Sequence, residues 1–176
     1  MEYLFIRQAQ IELWVLEAQA GNLKAFDQLY QHFYPQVLSF AYRTTSNKGL
    51  AQDAVQEAWL KLSTTMTRIN DPAAFKTWLF KLTHWQVLDM VKSNKKHMYT
   101  PLDAIGEIAA ETKTDTSELA QAMKHLSLIE HQVIHLFYLE GFSLSEISHI
   151  LNIASGTVKS RLFRARAALK QVLDKD

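Results

Sequence analysis

Gly156-Thr157-Val158-Lys159-Ser160-Arg161-Leu162, continued by Phe163-Arg164-Ala165-Arg166, is the stretch whose spacing decides the fold. Read as a helix, it sets Val158, Leu162, Ala165 and Leu169 at steps of four, three and four, an apolar stripe that has to pack inward. Ser160, Phe163, Arg164 and Ala167 then point away from the core, flanked by Lys159, Arg161, Arg166 and Lys170. No acidic residue interrupts residues 155–173. A basic outward face of this kind suits a phosphate-lined groove.

Upstream, Ser143-Leu144-Ser145-Glu146 has the spacing of a capping box, and Ile147, Ile150 and Leu151 supply an inner face. After a short turn at residues 152–154, Ser155 is expected to cap the second helix. That helix's free N–H groups and positive dipole end would then sit near a phosphate while its side chains enter the major groove. An ordinary helical hairpin with a solvated basic face shares the periodicity. Caps, turn length and an uninterrupted stripe together favour a DNA-reading helix-turn-helix.

The chain has 176 residues, 48% of them hydrophobic, enough for one medium or two small packed domains. Its net charge is only +1, so affinity for nucleic acid has to come from local clustering. Absence of cysteine removes disulfides and thiolate zinc sites and agrees with a reducing, cytoplasmic compartment. No apolar run approaches the roughly 20 residues of a membrane-spanning helix, and Met1-Glu2-Tyr3 lacks the positive start of a secretory signal. Neither export nor membrane insertion is expected. Five glycines, three prolines and helical spacing almost throughout predict an all-α protein.

A helix over 11–20 should end at Gly21, and Asn22 should cap a second one carrying Phe26, Leu29, Tyr30 and Phe33. Pro35 is expected to open a third, to about residue 43. A long helix follows the turn at 47–49 and runs to about residue 66, and Asp71-Pro72 starts the next. These elements predict a first helical domain over 1–93. Residues 94–117, with Lys95, Lys96, Pro101 and Gly106, have the composition of a flexible linker. The second domain, 118–176, reads as a four-helix unit in which a capping box at Ser127-Leu128-Ile129-Glu130 opens a helix through Leu139.

Two further surfaces stand out in the first domain. Around residues 51–66, Ala54, Val55, Ala58, Trp59 and Leu62 share an inward face, whereas Asp53, Gln56, Glu57 and Leu60 share the opposite one. An exposed leucine ringed by acids and an amide is either a docking patch or a solvated face with one stray apolar residue. In the following helix Phe75, Trp78, Leu79 and Leu82 point inward. Thr77, Lys81 and His84 form a polar stripe with Trp85 at its margin, suited to holding unpaired bases. An enzyme reading fares worse. His131 and His135 lie one helical turn apart, as in a metalloprotease helix, but Gln132 occupies the place of the catalytic glutamate, and His125 is the only further ligand nearby. No phosphate-cradling glycine loop or nucleophile elbow is present. Neither catalysis nor a metal or cofactor is expected.

In Asp53-Ala54-Val55-Gln56-Glu57-Ala58-Trp59-Leu60, Phe75-Lys76-Thr77-Trp78-Leu79 and Gly156-Thr157-Val158-Lys159-Ser160-Arg161-Leu162, taken in order, the chain resembles a bacterial sigma factor of the extracytoplasmic-function group over nearly its whole length. The resemblance implies that Asp53, Gln56, Glu57 and Leu60 dock on the clamp helices of core RNA polymerase. It implies that the loop 64–71, with Arg68 and Asn70, opens and reads the minus-10 element of promoter DNA, a base flipping into a pocket beside it. Lys76, Thr77, Lys81, His84 and Trp85 on the next helix would share that work. The second domain would read the minus-35 duplex through Ser155, Thr157, Lys159, Ser160, Arg161, Phe163 and Arg164. The linker would thread toward the polymerase active-site channel, and an anti-sigma factor would hold the protein inactive. Thr83-His84-Trp85-Gln86 and Lys92-Ser93 depart from the family pattern by carrying fewer cations, which predicts weaker phosphate contacts there. A DNA-binding regulator, or a sigma-like decoy that only sequesters an anti-sigma protein, is the rival reading.

Overall fold

Short polar caps divide the chain into helices in the computed structural model, which describes residues 2–97 and 126–173, with side chains over 8–93 and 126–170. Helix α1 spans Glu2–Gln19 and ends where Gly21 takes a positive φ of 93°, a conformation open to glycine at no steric cost. Asn22 then accepts hydrogen bonds from the N–H groups of Lys24 and Ala25 and starts α2, Leu23–Thr45. Asn47 does the same for α3, Lys48–Thr65, through Leu50 N–H. Asp71 accepts from Ala73 N–H and opens a 3-10 turn, Pro72–Ala74, that runs directly into α4, Phe75–His97.

Pro35 does not open a helix of its own. It lies inside α2, between Phe33 and Val37, which are both buried on one face. Proline leaves the carbonyl four residues back without its helical partner. Here that residue is Gln31, on the solvent side, while the apolar face on either side of Pro35 packs continuously. Tertiary burial overrides the local breaker.

In the second half, α5 spans Leu128–Ile134 and widens into a π-helical turn, His135–Leu139, so the expected end at Leu139 holds with a different last turn. Gly141, at φ 73°, reverses the chain and lets Phe142 N–H reach the Leu136 carbonyl while its ring re-enters the core. Helix α6, Leu144–Leu151, begins at the expected capping box. Ser143 Oγ accepts from Glu146 N–H, and the Glu146 carboxylate accepts from Ser143 N–H at 2.8 Å. Asn152, in the left-handed region, ends it. Helix α7 spans Ser155–Leu173. The Ala154 carbonyl, one residue earlier than the expected cap at Ser155, accepts from Thr157 and Val158. The fourth helix expected of this unit falls on residues outside those described.

Helix α4 organises the whole. Phe75 and Leu79 are fully buried on one side, where Phe75 meets Phe33 and Trp59. Phe80, Thr83 and Val87 are buried as well. A helix that is dry on more than one side is covered on more than one side. The second covering is the other half of the protein: Phe80 lies edge-on to Phe142 with ring centroids 5.1 Å apart, and Phe40 of α2 lies 5.6 Å from His135. The buried residues of the two halves thus form one continuous apolar core. Residues 94–97, expected in the linker, continue α4. Among the described residues no helix is long and apolar enough to cross a membrane.

Candidate nucleic-acid and polymerase interfaces

On α3 the inward residues Ala54, Val55, Ala58, Trp59 and Leu62 are all buried, and the helical period therefore turns Asp53, Gln56, Glu57 and Leu60 to solvent. Leu60 is 54% exposed. An apolar centre within a polar, acidic ring is left open on the surface of the first half.

The loop after α3 is shaped by a residue that sequence reasoning missed. The Gln19 side-chain amide donates to the carbonyls of Met66 at 2.9 Å and Ile69 at 2.8 Å, while Met66 and Ile69 themselves are buried. Arg68 and Asn70 are thereby held outward and exposed. No local pattern signals this role, because the two partners lie about fifty positions further along the chain.

Lys76, Thr77, Lys81 and His84 do not form an open stripe. The Lys76 ammonium lies 3.1 Å from Glu140 Oε2, donates to the Glu140 carbonyl at 2.7 Å and sits 4.8 Å above the Phe142 ring. Thr77 Oγ1 donates to Glu146 Oε1 at 3.2 Å, and Lys81 Nζ lies 3.1 Å from His149 Nε2. His84 is 5% exposed, near the Gln132 amide, which itself donates to Thr44 Oγ1 at 3.2 Å. Burial alone would raise the Glu140 carboxyl, but its contact with His135 and the Lys76 ammonium outweigh it and hold the group below its ordinary range. His135 Nε2 lies 3.4 Å from Glu140 Oε1, and neither ring nitrogen makes an aligned hydrogen bond. Trp85 alone of this helix's expected strand-binding residues remains half exposed.

Gln132 and His135 pack between the halves, against Thr44 and Phe40, and His125 lies outside the described residues. Among the described residues no three ligating side chains converge on one point.

Burial pushes the His84 imidazole down from its ordinary 6.5 to about 4, so at neutral pH it is held uncharged. A group whose folded pKa lies below its unfolded one lends stability above the unfolded value and loses it as pH falls toward the folded value. Asp89 and Lys92 of α4 and Arg161 of α7 line the clefts beside it. Acidification from pH 6.5 toward 4 is expected to cost on the order of 3 kcal/mol. Thermal unfolding across that window checks it, with His84→Gln expected to flatten the profile; an already flat wild-type profile would contradict the assignment.

On α7, Val158, Leu162 and Ala165 are buried and Leu169 packs against the core, as the stripe requires. Lys159, Ser160, Phe163 and Arg164 are exposed, Phe163 at 72%, with Thr157 and Arg161 half-buried beside them. The preceding turn is locked by Ser148 Oγ, which donates to the Ile153 carbonyl at 2.6 Å. Arg166 is a structural clasp: its Nε donates to the Tyr138 hydroxyl, and its guanidinium stacks over Phe137 and Tyr138.

Residues 29–97 match Sigma-70 region 2, and residues 116–169 match Sigma-70, region 4. The chain is 30% identical over 156 residues to the ECF RNA polymerase sigma factor SigM of Mycobacterium tuberculosis, covering 88% of this chain and 80% of the relative. It is also 30% identical to SigM of Bacillus subtilis, covering 85% and 95%. Among solved structures it is similar to the sigma factor RpoE of Bartonella quintana in complex with the anti-sigma factor NepR. There the TM-score is 0.68 and the identity 25%, over 87% of this chain and 99% of that one.

Proposed function

Because the chain belongs to the extracytoplasmic-function sigma factors of the sigma-70 family, which direct RNA polymerase to promoters, we propose how its residues divide that task. The first domain, 1–93, docks on core polymerase through Asp53, Gln56, Glu57 and Leu60. Apolar area at Leu60 supplies affinity, and the flanking carboxylates orient the encounter. Arg68, Asn70 and Trp85, with Lys76, Thr77, Lys81 and His84 once uncovered, hold the opened minus-10 strand by ion pairing and stacking. The second domain, 118–176, reads the minus-35 duplex through Thr157, Lys159, Ser160, Arg161, Phe163 and Arg164, with Ser155 at the helix start beside a phosphate. Residues 94–117 connect the two.

The observation that carries this reading is that one chain turns two chemically opposite faces to solvent: an acid-ringed leucine on α3 and a basic face with a protruding phenylalanine on α7. An anti-sigma factor is proposed as the third partner, supported by the solved complex of the Bartonella relative with NepR. Run-off transcription with purified core polymerase and a random-promoter library tests docking, melting and specificity together. Absence of any promoter-specific transcript would instead favour the decoy reading. A guanine read in bidentate fashion by Arg164 predicts that Arg164→Ala loses about 1–3 kcal/mol on the selected minus-35 duplex. Fluorescence anisotropy checks this. Equal weakening on random duplex would make Arg164 a phosphate contact.

A further inference from the structure

We propose that Gln19 is a positioning residue for promoter choice: its side-chain amide holds the loop after α3 in the shape in which Arg68 and Asn70 discriminate the bases of the minus-10 strand. This rests on the proposed reading of that loop as a strand-contacting element. Met66–Arg68 form a single 3-10 turn, and Ile69 leaves it in extended backbone. A turn so short leaves its last carbonyls short of helical partners. The Met66 carbonyl accepts from Ile69 N–H at 3.1 Å and keeps a second lone pair to fill. The amide nitrogen of Gln19 carries two donors and divides them between the Met66 and Ile69 carbonyls, 47 and 50 positions along the chain. Arg68 lies between these two anchors. Asn70 lies between Ile69 and Asp71, whose side chain is itself engaged with Ala73 N–H.

The brace is itself fixed. Asn22 N–H reaches back to the Glu17 carbonyl and Gly21 N–H to that of Ala18, both at 3.0 Å, a Schellman closure that locks the last turn of α1 around Gln19. One turn earlier Val15 is fully buried, and α1 also packs against Pro72–Ala74 at the far end of the loop. One anchored helix therefore steadies the loop at both ends. A side chain on an unbraced loop samples many positions and meets right and wrong bases almost alike. Discrimination requires that the cation or amide be held where one base edge satisfies it and the others do not. Gln19 supplies that restraint without touching nucleic acid.

Two variants of the full-length chain test this. Gln19→Met keeps the reach of the side chain and removes both donors, and Gln19→Glu keeps its shape but offers acceptors only. Each is assembled with core polymerase on a promoter library randomised at both elements, and the bases enriched among transcripts are counted. Hydrogen exchange of the Ile69 amide is followed in the free protein. In both variants that amide should exchange roughly tenfold faster, and the minus-10 base preference should flatten by roughly tenfold, with the minus-35 preference as in wild type. A preference is a ratio within one sample, so a merely structural defect lowers total yield and leaves both preferences standing. That outcome would overturn the inference. So would wild-type exchange at Ile69, equal flattening at both elements, or loss of helical circular dichroism in both variants. Arg68→Ala and Asn70→Ala, run beside them, separate the two layers. If these change the minus-10 preference and the Gln19 variants do not, Gln19 alone is rejected. If neither changes it, the loop does not read that element, and the role of Gln19 falls with it.

Discussion

Glu57→Lys should reduce promoter-directed transcription by at least about a hundredfold, equivalent to roughly 2.7 kcal/mol of binding, while leaving the thermal stability of the free protein almost unchanged. Glu57 lies on the solvent face of α3, and the packing of that helix depends on Ala54, Val55, Ala58, Trp59 and Leu62 beneath. Surface substitutions of this kind shift folding stability by only about 0.5 kcal/mol. At a docking interface the same reversal sets like charge against like charge, which costs several kcal/mol. Leu60→Ala is the companion change: it removes the apolar centre of the patch and should weaken core binding without affecting charge steering. Run-off yield and direct binding to purified core polymerase measure both. Wild-type core affinity in Glu57→Lys would move the docking surface elsewhere on the first half.

What was legible in the sequence was local. The capping box at Ser143 and Glu146, the cap at Asn22 and the inward stripe through Val158, Leu162 and Ala165 each lie within a turn or two of chain, where helical geometry fixes the outcome. The four residues on α3 needed only that same period. What was not legible depended on partners far along the chain. Lys76 and Glu140 are separated by 64 positions, and Thr77 and Glu146 by 69, so a stripe that is polar by sequence became half of a partly buried seam. Pro35 stays inside α2 for a similar reason, since Phe33 and Val37 find one shared core on either side of it. One signal did exist: Phe80 and Val87 fall outside the inward stripe of α4, and a helix apolar on several sides calls for a second covering. Gln132, read only as a missing catalytic base, was another, because a buried amide needs partners and here finds Thr44 and His84.

Phe80→Ala should destabilise the closed molecule by about 3–5 kcal/mol, the range for truncating a buried phenylalanine, and should do so in a way that Phe75→Ala does not. Among the described aromatic rings Phe75 touches Phe33 and Trp59, so its loss cuts into the core of the first half and should lower the melting point of that half directly. Phe80 instead joins Phe40, in the first half, to Phe142, in the second. A cavity there can be relieved by parting the halves, which hydrates the site but preserves the helices on either side. Calorimetry of Phe80→Ala should therefore split one cooperative transition into two, with the Leu29 and Phe33 side of the first half melting last. Phe75→Ala should keep a single transition at lower temperature. A single, merely shifted transition in Phe80→Ala would mean that the two halves cannot separate short of unfolding. Polymerase and promoter would then have to engage the chain with α4 still covered, and Lys76 and Thr77 would be structural residues with no share in strand binding.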